Sequence, residues 1–258
     1  VTFRDHFSDR ASEYARRRPD YPPALFAALA QLAPGRGLAW DAGTGNGQAA
    51  RGLAGYFHRV LATDASRSQL AQALAHERVA YVQAAEDGSG LLDGSVDLVT
   101  VAQAAHWFDL DRFYAEVARV LRPGGVLALW GYGLCQIAPA IDSIVQSFYE
   151  QVVGQWWPPE RRHVEERYRL LGFPLPETPF PAVTMVHSWT LTEFLGYVGT
   201  WSAVSGYRKG RGEDPVPALG DQLRRVWDDP KKSRDVRWAL FGRIGRNPDA
   251  STHARALR

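Results

Sequence analysis

The sequence has a single cysteine, Cys135, among 258 residues. One thiol cannot close an internal disulfide, and no Cys/His cluster has zinc-ligand spacing, so no metal site is expected. Lysine is nearly as scarce: Lys209, Lys231 and Lys232 are the only ones among 30 Lys and Arg residues. The formal net charge is only +2. That is too small to argue for nucleic acid or an anionic membrane as a partner. No run reaches the roughly 18–20 apolar residues of a membrane helix. The start, Val1-Thr2-Phe3-Arg4-Asp5, lacks the apolar stretch of a signal peptide. A cytoplasmic location is the default expectation, with a monomer or weak homodimer as the assembly and a small molecule as the partner.

What is present suits a folded domain. Hydrophobic residues make up 45% and charged residues 22%, ordinary for a globular protein. The length fits one large domain. Phe3, Phe7, Ala11 and Tyr14 fall at helical spacing, so residues 3–18 read as an amphipathic helix. Pro22-Pro23 opens a second helix, filled by Ala24 to Leu32. Short strands then alternate with helices. The strands are expected at Leu38 to Trp40, Val60 to Thr63, Val79 to Val82, Val96 to Val101 and Val126 to Trp130. The intervening helices are expected at Gln48 to Gly55, Ser66 to Ala75 and Asp109 to Leu121. Such alternation implies right-handed βαβ units and a parallel sheet. Residues 132–180 read as a helical insertion with rigid loops at Trp156-Trp157-Pro158-Pro159 and Phe173-Pro174. Val183 to Trp189 reads as a strand, Leu191 to Trp201 as a helix and Val236 to Gly245 as a last, antiparallel strand. The expected architecture is α/β: a seven-stranded, mostly parallel sheet, helices on both faces, and a helical lid.

The strongest motif is Asp41-Ala42-Gly43-Thr44-Gly45-Asn46-Gly47, between a strand and a helix. Glycines there let the chain turn sharply and let a ligand lie against the backbone. The following helix aims free N–H groups at the turn. A dinucleotide fingerprint would need its third glycine at position 48, which is Gln48. The pattern is instead an acid followed by alternating glycines. A ligand-free glycine turn is the alternative reading. Asp64 ends the second strand, where a carboxylate accepts from ribose hydroxyls; a helix cap is its alternative role.

These residues, with Ala85-Glu86-Asp87, Ser95 to Val99 and Glu116 to Gly125, resemble the successive motifs of the class I S-adenosylmethionine-dependent methyltransferases. The similarity is to the type 11 branch that includes the trans-aconitate methyltransferases. It covers residues 5–131 well and Trp189 to Arg246 more weakly. The resemblance implies a Rossmann-like fold and S-adenosylmethionine as cofactor. The expected layout is one domain with an N-terminal cover (1–22), a cofactor-binding core (23–131), a lid (132–180) and a C-terminal part of the sheet (181–258), since the open sheet edge needs other chain to cover it. The resemblance places Gly43, Gly45 and the backbone around Thr44 at the methionine part of the cofactor, with Asp41 also among the cofactor-binding residues. It places Asp64 on the ribose, Ala65 on the adenine, and Ala85 and Glu86 along the adenine edge. Gln103 and Ala104 then sit beside the sulfonium. Many relatives carry an acid just before the Ala-Glu pair; here that place is Ala84. Tyr14 and Arg18 fall in an N-terminal signature, where an arginine can pair with the cofactor carboxylate.

His106 follows the fourth strand, at the sheet edge where ligands bind, and is the candidate base. A packed histidine is the alternative, because methyl transfer rests largely on in-line positioning. Trp107, Trp156, Trp157 and Trp201 are candidates for an acceptor pocket, with core packing as the alternative for each. The expected function is methyl transfer to a small molecule. The rivals are an NAD-dependent oxidoreductase and a non-catalytic nucleoside- or RNA-binding module. The basic stretch 208–258 is the only support for the last.

Overall fold

The computed structural model describes residues 18–248. The helix expected over residues 3–18, with Tyr14, lies outside them apart from Arg18. Pro23 opens α1 (Pro23–Leu32), where proline gives up only an N–H that would find no partner in the helix. Leu25, Phe26, Leu29 and Ala30 are its buried face. β1 (Leu38–Ala42), α2 (Gln48–Ala54) and β2 (Arg59–Asp64) follow as expected. α3 (Arg67–Leu70) then starts at its Ser66 cap, whose hydroxyl accepts from Gln69 N, but stops well short of Ala75. Residues 71–78 are largely exposed. With no apolar face to pack, so short a helix has little to sustain it.

β3 (Val79–Gln83) and β4 (Val96–Ala102) come next. α4 (Leu110–Val120) is capped by Asp109 and runs into β5 (Leu121–Tyr132). β5 therefore begins at Leu121 rather than Val126, taking in the Pro-Gly-Gly turn. Its register with β4 shifts between Val96 and Leu98 to absorb that turn. The helical insertion comprises α5 (Pro139–Ser147), a π turn at Phe148–Val152, a 3-10 turn at Gly154–Trp156 and α6 (Arg161–Glu165). β6 (Glu177–Thr178) and β7 (Thr184–Trp189) follow. A Thr190/Glu193 capping box opens α7 (Leu191–Val198). α8 (Ser202–Arg211) and α9 (Val216–Arg224) were not anticipated from the sequence. β8 (Arg234–Arg246) closes the described chain.

The strand order is β3-β2-β1-β4-β5-β8-β6, with β7 also on β8. β1 to β5 pair in parallel. β8 runs antiparallel, with Val126 opposite Arg246 and Tyr132 opposite Leu240. Its first half pairs with β7, from Trp189 opposite Arg234 to Thr184 opposite Ala239. The sheet thus has eight strands rather than seven, the addition being the two-residue β6. Alternation along β5 separates two cores. Val126, Ala128 and Trp130 pack with Leu25 and Leu53, whereas Leu127 and Leu129 pack with Val117 and Val164. Helices cover both faces, as a parallel sheet requires.

Asp97 of β4 is fully buried and pins three segments together. One carboxylate oxygen accepts from Gly37 N at 2.8 Å and Leu38 N at 3.0 Å, fixing the entry to β1. Arg122 Nη1 lies 2.8 Å from the other oxygen, within ion-pair range though not aligned as a hydrogen bond. Asp97→Ala should lower unfolding free energy by about 3 kcal/mol, because it strands buried donors as well as a charge. Urea denaturation checks this, and an unchanged midpoint and slope would refute it.

Candidate functional site

The glycine loop gets its shape from the strand that precedes it. Asp41 is completely buried at the end of β1. Thr44 Oγ1 donates to one of its oxygens at 2.5 Å, and Thr100 Oγ1 of β4 donates to the other at 2.7 Å. Burial pushes the Asp41 carboxyl up to about 6, against the pull of both threonine hydrogen bonds. Asp41 thus holds the loop from behind and does not face the cavity. Thr44 N donates to Thr63 O at 2.9 Å, tying the loop to β2. Gly43 has a φ of +64°, and a Cβ there would come within 2.7 Å of the Ala104 side chain. Gly45 has a φ of +58°, yet the nearest atom to a Cβ would be Gln69 Oε1 at 3.8 Å. Its outer side is open space.

That space is a cavity of about 570 Å³ at the carboxyl edge of the parallel strands. This is within the range of small-molecule sites, roughly 300–1,000 Å³. The loop residues Gly43, Thr44 and Gly45 form one wall. Asp64, Ala65, Ala85 and Glu86 form the next, and Gln103, Ala104 and Trp107 the third. Asp64 is held by two backbone donors, Gly45 N on Oδ2 and Ser66 N on Oδ1, both at 2.8 Å. Glu86 Oε1 accepts from Asp109 N at 3.1 Å. Gln103 has a φ of +57°, a strained backbone for a residue with a side chain. Its amide Nε2 donates to Tyr132 O at 2.9 Å. Tyr21, Phe108, Tyr132 and Glu160 are also in the lining, and the motifs had not pointed to Tyr132 or Glu160.

A smaller cavity of about 50 Å³ adjoins the first. Gln103, Trp107 and Tyr132 line both. His106, Trp157 and Trp201 line only the smaller one, as do Tyr149, Arg161 and Tyr197. Arg18 also lines the smaller cavity and is absent from the walls of the larger one, although the resemblance placed it on the cofactor. Its Nη1 donates to Tyr132 Oη at 3.2 Å, and its guanidinium lies 5.5 Å from the Tyr197 ring. Trp156 lines neither cavity. Its ring packs against α8, where a Cβ on Gly210 would strike it. Trp157 instead stacks beside Tyr149, with ring centroids 4.8 Å apart, and lies 5.8 Å from Trp201.

His106 Nδ1 shares a 3.1 Å hydrogen bond with Tyr168 Oη. Burial, then the positive charge of Arg161 and His163, pulls its imidazole down to about 3. Burial raises the Tyr149 phenol to about 12 and also raises those of Tyr168 and Tyr197. His106 and these three phenols are therefore neutral near pH 7. Among the described residues no cluster could hold a metal, and no helix is long and apolar enough to cross a membrane.

The chain matches the methyltransferase domain family over residues 40–129. A Dictyostelium discoideum protein named as a methyltransferase is 33% identical over 246 residues, 93% of this chain and 94% of that one. A solved structure from Anaeromyxobacter dehalogenans, named as a type II methyltransferase, is 46% identical with a TM-score of 0.85. It covers 90% of this chain and 99% of its own. The fold is shared with Haemonchus contortus phosphoethanolamine N-methyltransferase 2, solved in complex with S-adenosyl-L-methionine. That likeness has a TM-score of 0.50 and 20% identity, over 96% of this chain and 60% of that one. The chain belongs to the S-adenosylmethionine-dependent methyltransferases. Membership sets aside the nicotinamide alternative.

Two outcomes follow from the buried groups. A carboxyl raised from 3.8 to about 6 adds stability that is complete below about pH 4 and lost as pH rises through 6. The stability of Asp41→Asn relative to wild type should therefore improve by roughly 2–2.5 kcal/mol between pH 4 and pH 7. Urea titrations across that range test it, and a flat difference would show that Asp41 does not titrate as described. The His106 ring, depressed in the folded state, should show no protonation step in NMR between pH 5 and pH 8. A midpoint near 6.5 there would contradict its burial.

Proposed function

We propose that the larger cavity holds S-adenosylmethionine and that the smaller one receives a small-molecule methyl acceptor. The carrying observation is Asp64. Two backbone N–H groups fix both of its oxygens, and the carboxylate still lines the cavity. A carboxylate oxygen can accept more than one hydrogen bond, so a ribose hydroxyl can join these donors. The open side of Gly45 accommodates the methionine arm against bare backbone. Ala65 and Ala85 leave room for a flat base, with Glu86 at its edge. Gln103 lines both cavities, with Ala104 beside it in the larger, the place for the sulfonium. When bound, the cofactor supplies a methyl group on a cationic sulfur, which the acceptor's lone pair takes while the carbon–sulfur electron pair stays on sulfur.

The residues of this chain orient the acceptor and keep water out. Gln103 is anchored by its amide nitrogen to Tyr132 O and lines both cavities, so it can help set the acceptor's position. Tryptophans and tyrosines make up much of the smaller cavity's wall, beside Gln103, Arg18 and Arg161, and a bound acceptor displaces water from it. His106 at about 3 is a poor proton acceptor near neutral pH. We read it as part of the wall that orients the acceptor, held by Tyr168. The likeness to trans-aconitate methyltransferases rests on the motifs of the core, which do not define the acceptor.

Calorimetry with S-adenosylhomocysteine, NAD and a short RNA side by side tests the cofactor assignment; only the first should bind. Asp64→Ala should weaken that binding by about 1–3 kcal/mol, the range for a lost charged hydrogen bond. Gly45→Val should abolish it, since a side chain there fills ligand space and resists positive φ. Wild-type affinity in both variants would overturn the assignment.

A further inference from the structure

Two successive residues of the insertion have left-handed backbones, Arg167 with a φ of +53° and Tyr168 with a φ of +61°. Strain of this kind persists where packing dictates it. Here the packing is that of the Tyr168 ring. The residue is fully buried. Its ring stands edge-on to Phe241 of β8, with centroids 5.4 Å apart, and its backbone N–H donates to His163 O at 2.7 Å. Among the described residues its hydroxyl has one hydrogen-bond partner, His106 Nδ1 at 3.1 Å. Burial raises the phenol, so the hydroxyl keeps its hydrogen near neutral pH.

Counting hydrogens decides the direction of that bond. A neutral imidazole has one N–H and one bare nitrogen. With the hydrogen on Nδ1, the ring would donate to Tyr168 Oη, and the phenol's own hydrogen would point into the protein with no acceptor. Buried donors left unmatched are costly. With Nδ1 bare, the phenol donates to it and both buried groups are satisfied. The ring hydrogen then sits on Nε2. That nitrogen makes no hydrogen bond among the described residues and is not enclosed, and His106 lines the smaller cavity. We propose that Tyr168 locks His106 in the Nε2–H tautomer, so that the histidine offers the smaller cavity a hydrogen-bond donor and not a proton-accepting nitrogen. Tyr168 lines neither cavity. It is a positioning residue that acts through His106, and the histidine in turn orients a lone pair of the methyl acceptor. The proposal rests on the reading that this cavity receives the acceptor. It adds the hydrogen-bonding sense of one wall and the residue that sets it.

Long-range proton–nitrogen NMR on the full chain, with nitrogen-labelled histidine, tests it. The His106 signals are assigned by their loss in His106→Gln. In wild type the protonated nitrogen should be the one coupled to both ring carbon-bound protons, which is Nε2, with the bare-nitrogen signal on Nδ1. The tautomer ratio should favour Nε2–H at least about 5-fold, from the cost of an unmatched buried donor. Tyr168→Phe keeps the ring and removes the hydroxyl. Either tautomer then leaves a buried nitrogen unmatched, so the ratio should fall by about 5-fold or more. S-adenosylhomocysteine affinity should be unchanged. Should that variant not fold, the wild type decides alone: the Tyr168 hydroxyl proton should show a cross-peak to the His106 proton between the two ring nitrogens. Its absence overturns the lock. So does an Nδ1–H or evenly mixed ring in wild type, or a ratio indifferent to Tyr168→Phe. Either of these in a chain that binds S-adenosylhomocysteine sinks this proposal alone. The Nε2–H tautomer in a chain that does not bind S-adenosylhomocysteine upholds the lock and sinks the cofactor reading.

Discussion

A buried carboxylate sets the geometry of the whole site. Asp41 reaches backward from the end of β1 to two threonine hydroxyls, one in the glycine loop and one on β4. Those two bonds fix how far the loop stands from the neighbouring strand, and therefore the width of the cavity mouth. The arrangement is costly, because a charge enclosed on all sides is paid for only in part by neutral hydroxyls. The raised carboxyl pKa records that cost. Active sites are where such costs are commonly retained. Asp64 then uses the loop as placed: its carboxylate is oriented by Gly45 N and can face outward because Asp41 faces inward.

The two cavities divide the chemistry between backbone and side chain. The larger is built from consecutive loops at the ends of parallel strands, where main-chain groups and short side chains leave space. The smaller is built from aromatic side chains contributed by the insertion, α7 and the end of β5. Tyr132 belongs to both, as the last residue of the strand that runs through the centre of the sheet. The strained backbone of Gln103 lies opposite on the same shared wall. Strain of this kind persists only where surrounding packing dictates it.

The core was legible because each signal in it is local. Gly43 to Gly47 needs only a strand before and a helix after, and Asp64 needs only the end of the next strand. The carboxyl-edge rule also gives Tyr132 once β5 is known to run past Trp130. The smaller cavity was not legible in the same way. Trp157 and Trp201 could be named as candidates, but Arg161, Tyr149 and Tyr197 come from separate elements with no spacing rule to join them. α8 was hidden because its sequence, with Gly206 and Gly210 inside it, opposes helix by propensity. α3 failed in the other direction, since Ser66 marks a start but nothing downstream supplies a surface for a longer helix. In both cases tertiary packing, rather than local preference, decided the outcome.

The two glycines of α8 carry a consequence for inheritance. They stand one helical turn apart, and the Trp156 ring fills the groove that their missing side chains leave. Trp157 is the next residue; it lines the smaller cavity and lies against the Arg161 guanidinium. A lineage that changed Gly210 to a larger residue would have to lift Trp156, and Trp157 would move with it. The shape of the smaller cavity can therefore drift through a helix surface outside it, while every residue in the cavity stays the same.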